Sequence, residues 1–144
     1  MLLGTGVKSI DEKTRASVEL ETFDYGVKCV TEDNYPKLQI YMSKLILIQS
    51  DEELNNIQIL LGIKITQEVN FKKEILIVET NCDREKVRLY KFTDFFYDSK
   101  HIDYRMKQAT NEVYHGEKNK PILAYYFVKA DKDSFPFSLM NNYG

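Results

Sequence analysis

Residues 75–78, Ile-Leu-Ile-Val, constrain the fold more than any other part of this chain. A strand with one wet face alternates apolar and polar positions, so four large aliphatic side chains in a row ask for cover on both faces. The surrounding stretch, residues 74–92, reads as a hairpin at the centre of a sheet. Residues 81–85 form its polar turn. The returning strand places Val87 and Leu89 on one face and Arg88, Tyr90 and Phe92 on the other.

The rest of the chain supplies elements to lie against that hairpin. Residues 1–15 are small, polar and mixed in charge, as in an edge strand or an ordered arm. From 16 to 30 the pattern is strand-like, but its phase slips at Thr22, which is what a β-bulge produces; Gly26 would tolerate the bend. Residues 32–36 read as a turn. Residues 37–49 fit two patterns, since Asn34 is available as a cap and Pro36 is tolerable in a first helical turn. The dense β-branched ending favours a strand. Ser50 is a good cap for a helix that carries Asp51, Glu52 and Glu53 in its first turn, Leu54, Ile57, Leu60 and Leu61 on one face, and Gly62 as its stop.

Ile63 and Ile65 alternate as a short strand would. Thr93 and Asp94 open a helical turn carrying Phe95 and Phe96. Asp98 or Ser99 can cap a longer helix over residues 100–115, in which Ile102, Met106, Ala109 and Val113 share a face and Gly116 is the stop. Pro121 introduces a last strong strand, and the tail keeps Phe135, Phe137, Leu139 and Met140. Together these imply an α+β fold: a mainly antiparallel, twisted sheet of five or six strands with two helices packed on it. The 144 residues suit one globular domain, residues 1–144.

Composition narrows the function classes. A net charge of -2 disfavours general binding to polyanions. Cys29 and Cys82 have neither disulfide-framework nor zinc spacing, which fits a reducing compartment. The first residues lack the basic and apolar regions of a signal peptide, and the apolar run 45–48 is too short to cross a bilayer. A cytoplasmic protein without membrane attachment is the expectation. Lysine outnumbers arginine 16 to 4, the bias that A·T-rich coding gives, as in a low-GC bacterium or its phage.

Signatures of chemistry are weak. His101 and His115 stand roughly 20 Å apart along the helix expected there, too far to share a metal. Cys82, beside Asp83, is placed to have its pKa raised, with Arg84 opposing. No phosphate-cradling glycine motif and no nucleophile elbow occurs. Neither a cofactor nor a metal is expected. The one catalytic alternative is a metal-dependent phosphodiesterase or nuclease that uses Glu19, Glu21 and Asp24.

Aromatic residues are unevenly spread: 13 of the 18 Tyr and Phe residues lie at or after Tyr90. Tyrosine and arginine are what protein interfaces collect. The expectation is therefore a non-catalytic binding protein that recognises a macromolecular partner, a protein, through Arg88, Tyr90, Tyr97, Tyr104, Arg105 and Tyr114. An accessory or inhibitory factor fits that description. The alternative partner is single-stranded nucleic acid, stacked on Arg88, Tyr90, Phe92, Tyr125 and Lys129.

Overall fold

The computed structural model describes residues 16–97, 102–118 and 120–135. Its strands are β1 (Ala16–Ser17), β2 (Glu21–Cys29), β3 (Ile46–Ile48), β4 (Glu74–Asp83), β5 (Lys86–Val87), β6 (Tyr90–Tyr97), β7 (Ile102–Gln108), β8 (Tyr114–His115) and β9 (Ile122–Asp131). Two α-helices, α1 (Tyr35–Tyr41) and α2 (Asp51–Leu61), and a 3-10 turn at Lys132–Ser134 complete the described elements. The fold is α+β. A four-stranded antiparallel sheet in the order β2-β9-β4-β3 forms its middle, accompanied by a three-stranded sheet, β1-β6-β7, and the ribbon β5-β8.

Alternation along β4 and β9 divides the core into two layers. Ile75, Ile77, Ala124, Tyr126 and Val128 point to one side and pack with Val87, Leu89, Phe92 and Phe95 of the small sheets. Leu76, Val78, Leu123 and Phe127 point to the other and pack with Tyr35, Leu38, Leu54, Ile57 and Leu61 of the helices. The run 75–78 is thus covered on both faces, all four residues being 0% exposed. At ~25 cal/mol per Å² of apolar surface, each such side chain contributes roughly 1.5–3 kcal/mol of transfer free energy.

Several expected elements form where the sequence places them. Ser50 Oγ accepts from the Glu53 amide at 3.1 Å, while the Glu53 carboxylate accepts from the Gln49 amide at 3.0 Å, closing a reciprocal cap on α2. Gly62 ends that helix in the left-handed region at φ 68°. The β2-β9 register shifts between Thr22 and Asp24, a bulge at the expected phase slip. Gly26 serves a close approach instead of the bend: a Cβ there would lie 2.7 Å from Tyr125 Oη.

Other elements differ, each for a physical reason. β4 and the returning segment do not form a hairpin; β4 pairs with β3 and β9, whereas β5 pairs with β8 and β6 with β7 and β1. The chain turns at 83–86 and crosses from one sheet to the others. Residues 37–49 split. Tyr35 and Leu38 are buried one helical turn apart, while Ile40, on the strand face expected from alternation, is 60% exposed. The chain reverses at Ser43, at φ 59°, before β3 begins.

Ile63 and Ile65 lie outside any strand. The helical turn expected to open at Thr93 and Asp94 and to carry Phe95 and Phe96 is instead part of β6, a bulged strand. The β6-β7 register shifts between Phe92 and Asp94, so the rings of Phe92 and Phe95 both face the core at 9% and 1% exposure. In place of a helix over 100–115, residues 102–108 form β7, with Ile102, Tyr104 and Met106 half-buried and Asp103, Arg105 and Lys107 exposed. Gly116 is therefore no helix stop; a Cβ there would meet the Lys120 carbonyl oxygen at 2.5 Å. The expectations for residues 1–15, for the caps Asp98 and Ser99, for His101 and for Phe137, Leu139 and Met140 lie outside the described residues. Among the described residues no helix is long and apolar enough to cross a membrane.

Candidate functional site

The apolar face of β4 that meets the small sheets gives way after Ile77 to two polar residues on the same side, Glu79 and Asn81. There the covering strands diverge, and two openings form. One is a narrow recess of about 10 Å³ between the layers, lined by Glu79, Asn81, Arg88, Tyr90, Met106 and Tyr126 among others. The second is a shallow hollow of about 190 Å³ lined by Asn81, Lys86, Val87, Arg88, Tyr90 and Val113. Arg88, Tyr90 and Asn81 line both.

The elements around the hollow fix these side chains. The Asp83 carboxylate accepts from the amides of Glu85 at 2.8 Å and Lys86 at 3.1 Å, which shapes the crossing turn and holds the Asp83 pKa below its usual range. Lys86 pairs with His115 and Val87 with Tyr114, and the Gly116 amide donates to the Glu85 carbonyl at 2.9 Å. Arg88 Nη1 donates to Gln108 Oε1 at 3.4 Å, and Tyr90 pairs with Gln108 where β6 begins. Burial pushes the Glu79 carboxyl above the usual carboxylate range, opposed by a hydrogen bond that Tyr104 Oη donates to it. Burial is also the main cause of the upward shift of Tyr104, with the Glu79 hydrogen bond and charge adding to it.

Four of the six residues expected from sequence to make contacts converge on this region. Arg88 and Tyr90 form its mouth. Tyr104 sits behind it, packed 5.6 Å from the Phe92 ring and bonded to Glu79. Tyr114 flanks it through its pairing with Val87, its Oη 3.5 Å from Thr110 Oγ1. Tyr97 lies at the far end of β6, with its ring 5.8 Å from that of Phe135. Arg105 projects from the opposite face of β7, 5.9 Å above the Phe96 ring. Sequence reasoning did not place Glu79 and Asn81 beside Arg88 and Tyr90. The signal for them is the abrupt change from Ile-Leu-Ile-Val to Glu-Thr-Asn within one strand.

The residues of the stacking platform do not share a face. Phe92 packs in the layer between the sheets, and Tyr125 packs in the layer under the helices. Lys129 is held between Glu74 at 3.2 Å and Glu21 at 3.5 Å, which raises its pKa, the Glu74 hydrogen bond first. These three residues line an open cleft of about 640 Å³ together with Glu19, Asn70, Lys73, Asp131 and Ser134 among others. Asp24 does not line that cleft and accepts from the Tyr25 amide at 2.9 Å. Among the described residues no three acidic, histidine or cysteine side chains are grouped to hold a metal. Cys82 is buried, its thiol pushed up to about 11 by burial first and Asp83 second.

No family model, curated protein or solved structure matches this chain.

Proposed function

We propose that this protein is a non-catalytic binding module that recognises a partner protein through the surface around Arg88 and Tyr90. One observation supports this reading above the others: both side chains line the same two openings, at the place where the cover over β4 ends. An arginine and a tyrosine beside a hollow are the residue types that dominate binding energy at protein interfaces. Lys86 and Arg88 give the hollow positive charge, and Asn81 gives it a hydrogen-bonding group. A carboxylate- or carbonyl-bearing side chain of the partner, flanked by the Tyr90 ring, is the complementary anchor. In this reading the protein is a cytoplasmic accessory or inhibitory factor, and its lysine-rich composition suits a low-GC bacterium or a phage of one.

The test is to capture the partner from producing cells with immobilised wild-type protein, then repeat with Arg88→Ala and Tyr90→Ala. Each substitution is expected to weaken capture by at least about tenfold, with thermal melts close to wild type because neither side chain belongs to the buried core. Undiminished capture by both variants would overturn the assignment. If the wild type instead binds a single-stranded oligonucleotide with affinity that drops steeply between about 50 and 200 mM salt, the partner is nucleic acid.

A further inference from the structure

β7 ends the order β1-β6-β7, and among the described residues its outer side pairs with no strand. Two hydrogen bonds show which of its backbone groups face outward. The Ala109 amide donates to the Leu89 carbonyl at 2.8 Å, and Thr93 Oγ1 donates to the Arg105 carbonyl at 3.2 Å, so odd-numbered residues turn their backbone toward β6. Strand alternation then directs the N–H and C=O groups of Ile102, Tyr104, Met106 and Gln108 outward. The other long edge, β2, differs. Gln67 Nε2 donates to the Phe23 carbonyl at 3.3 Å and Lys28 Nζ donates to the Gly62 carbonyl, so the segment after α2 lies along it.

The exposed charges of β7 read Asp103, Arg105, Lys107, and one register opposes unlike charges without opposing like ones. Antiparallel pairing of two copies about Asp103 opposes two carboxylates. Pairing about Arg105 sets Asp103 against the second copy's Lys107 but opposes two guanidinium groups at its centre, and pairing about Met106 sets Arg105 against the second copy's Lys107. Pairing about Tyr104 instead places Asp103 opposite the second copy's Arg105, twice, at the closely spaced non-hydrogen-bonded positions. The same register brings Tyr104 opposite Tyr104 and Ile102 opposite Met106, where outward backbone groups exchange hydrogen bonds. We propose that β7 is the seam of a homodimer, two copies joining edge to edge about a two-fold axis at Tyr104 into one six-stranded sheet.

The Asp103 carboxylate accepts from the Tyr104 amide at 2.9 Å in the single chain. On pairing, that amide passes to the second copy's Tyr104 carbonyl, and the carboxylate turns to the second copy's Arg105. The seam adjoins the Arg88 and Tyr90 surface through Tyr104 and Met106, whereas Asp103 and Arg105 project from the other face of the small sheet, so substitutions there leave that surface in place.

Sedimentation velocity over a wide concentration range tests the seam. The wild type is expected to be a dimer. D103R and R105D each oppose like charges and are expected to be monomeric, whereas D103R/R105D restores the opposite-charge pairs and the dimer. R105Q, which removes attraction without adding repulsion, is expected to weaken association about tenfold. A wild type that stays monomeric throughout overturns the proposal. So does a folded double variant, by circular dichroism, that fails to recover the dimer. If the single reversals unfold, R105Q decides: unchanged association overturns the seam.

Discussion

On β4 the even-numbered side chains, Leu76, Val78, Thr80 and Cys82, face the helices, and none exceeds 2% exposure. The odd-numbered ones run from fully buried Ile75 and Ile77 to half-exposed Glu79 and Asn81. One strand therefore carries one face sealed along its whole length and another sealed for only half of it. The helices can close their side because α1 reaches the end of β4, where Met42 bridges Thr80 and the Ser43 amide donates to the Thr80 carbonyl. The small sheets cannot close theirs, because the chain that builds them must first cross over at 83–86. The polar residues and the two openings occur where that cover runs out.

This contrast is open to direct challenge, and the largest effect is expected on the sealed face. Phe127→Ala should cost about 3–5 kcal/mol in urea unfolding, because a fully buried ring leaves a cavity between the helices and β9. A loss below about 1.5 kcal/mol, the upper range for Ile→Val in a core, would show that this side is not tightly packed.

A smaller effect of opposite sign is expected two residues beyond Val78. Thr80 Oγ1 is buried without a hydrogen-bond partner among the described residues, so Thr80→Val removes an uncompensated desolvation cost and should stabilise by about 1 kcal/mol. Equal or lower stability of the variant would place a polar partner at that hydroxyl and weaken the contrast.

The smallest effect belongs to the open face and appears as a slope. Burial raises the Glu79 pKa above its ordinary 4.5. Between the ordinary and the raised value, the folded chain holds a proton that the unfolded chain has lost, so this group makes stability fall as pH rises through that window. Glu79→Gln keeps an acceptor for Tyr104 and removes the titration. Its melting temperature should decline less steeply with pH above 4.5 than that of the wild type, and any advantage should vanish below it. Identical slopes would mean that Glu79 is as well hydrated as a surface carboxylate.

The parts of the fold legible in the sequence were those written in local terms. The capping box of Ser50 and Glu53, the phase slip at Thr22 and the unbroken run 75–78 each admit one geometry, and each forms. The helix expected over 100–115 failed because Ile102 and Met106 belong to a period of 2 through Tyr104 as well as to a helical stripe, and only the core beneath β7 decides between them. The turn expected from Thr93 and Asp94 with Phe95 and Phe96 failed for a related reason: a bulge there moves the phase of β6 by one residue, which breaks the plain alternation that marks a strand. Of the site, the residue types were legible and their grouping was not. Arg88 and Tyr90 adjoin Glu79 and Asn81 through a chain crossing that no local pattern records, while Tyr97 and Arg105 are carried elsewhere by the length of β6 and the alternation of β7.

β9 sits between β2 and β4 in the main sheet, yet it follows both in the chain, pairing Cys29 with Ile122 and Cys82 with Leu123. During synthesis, at roughly 5–20 residues per second, those two strands emerge from the ribosome seconds before the one that joins them. Until then β4 can pair only with β3, and the edge that β9 will occupy stays open beside residues 75–78, a state from which nascent chains aggregate. The molecule's assembly is thus gated by translation reaching the 120s, and chaperone demand should concentrate in that interval.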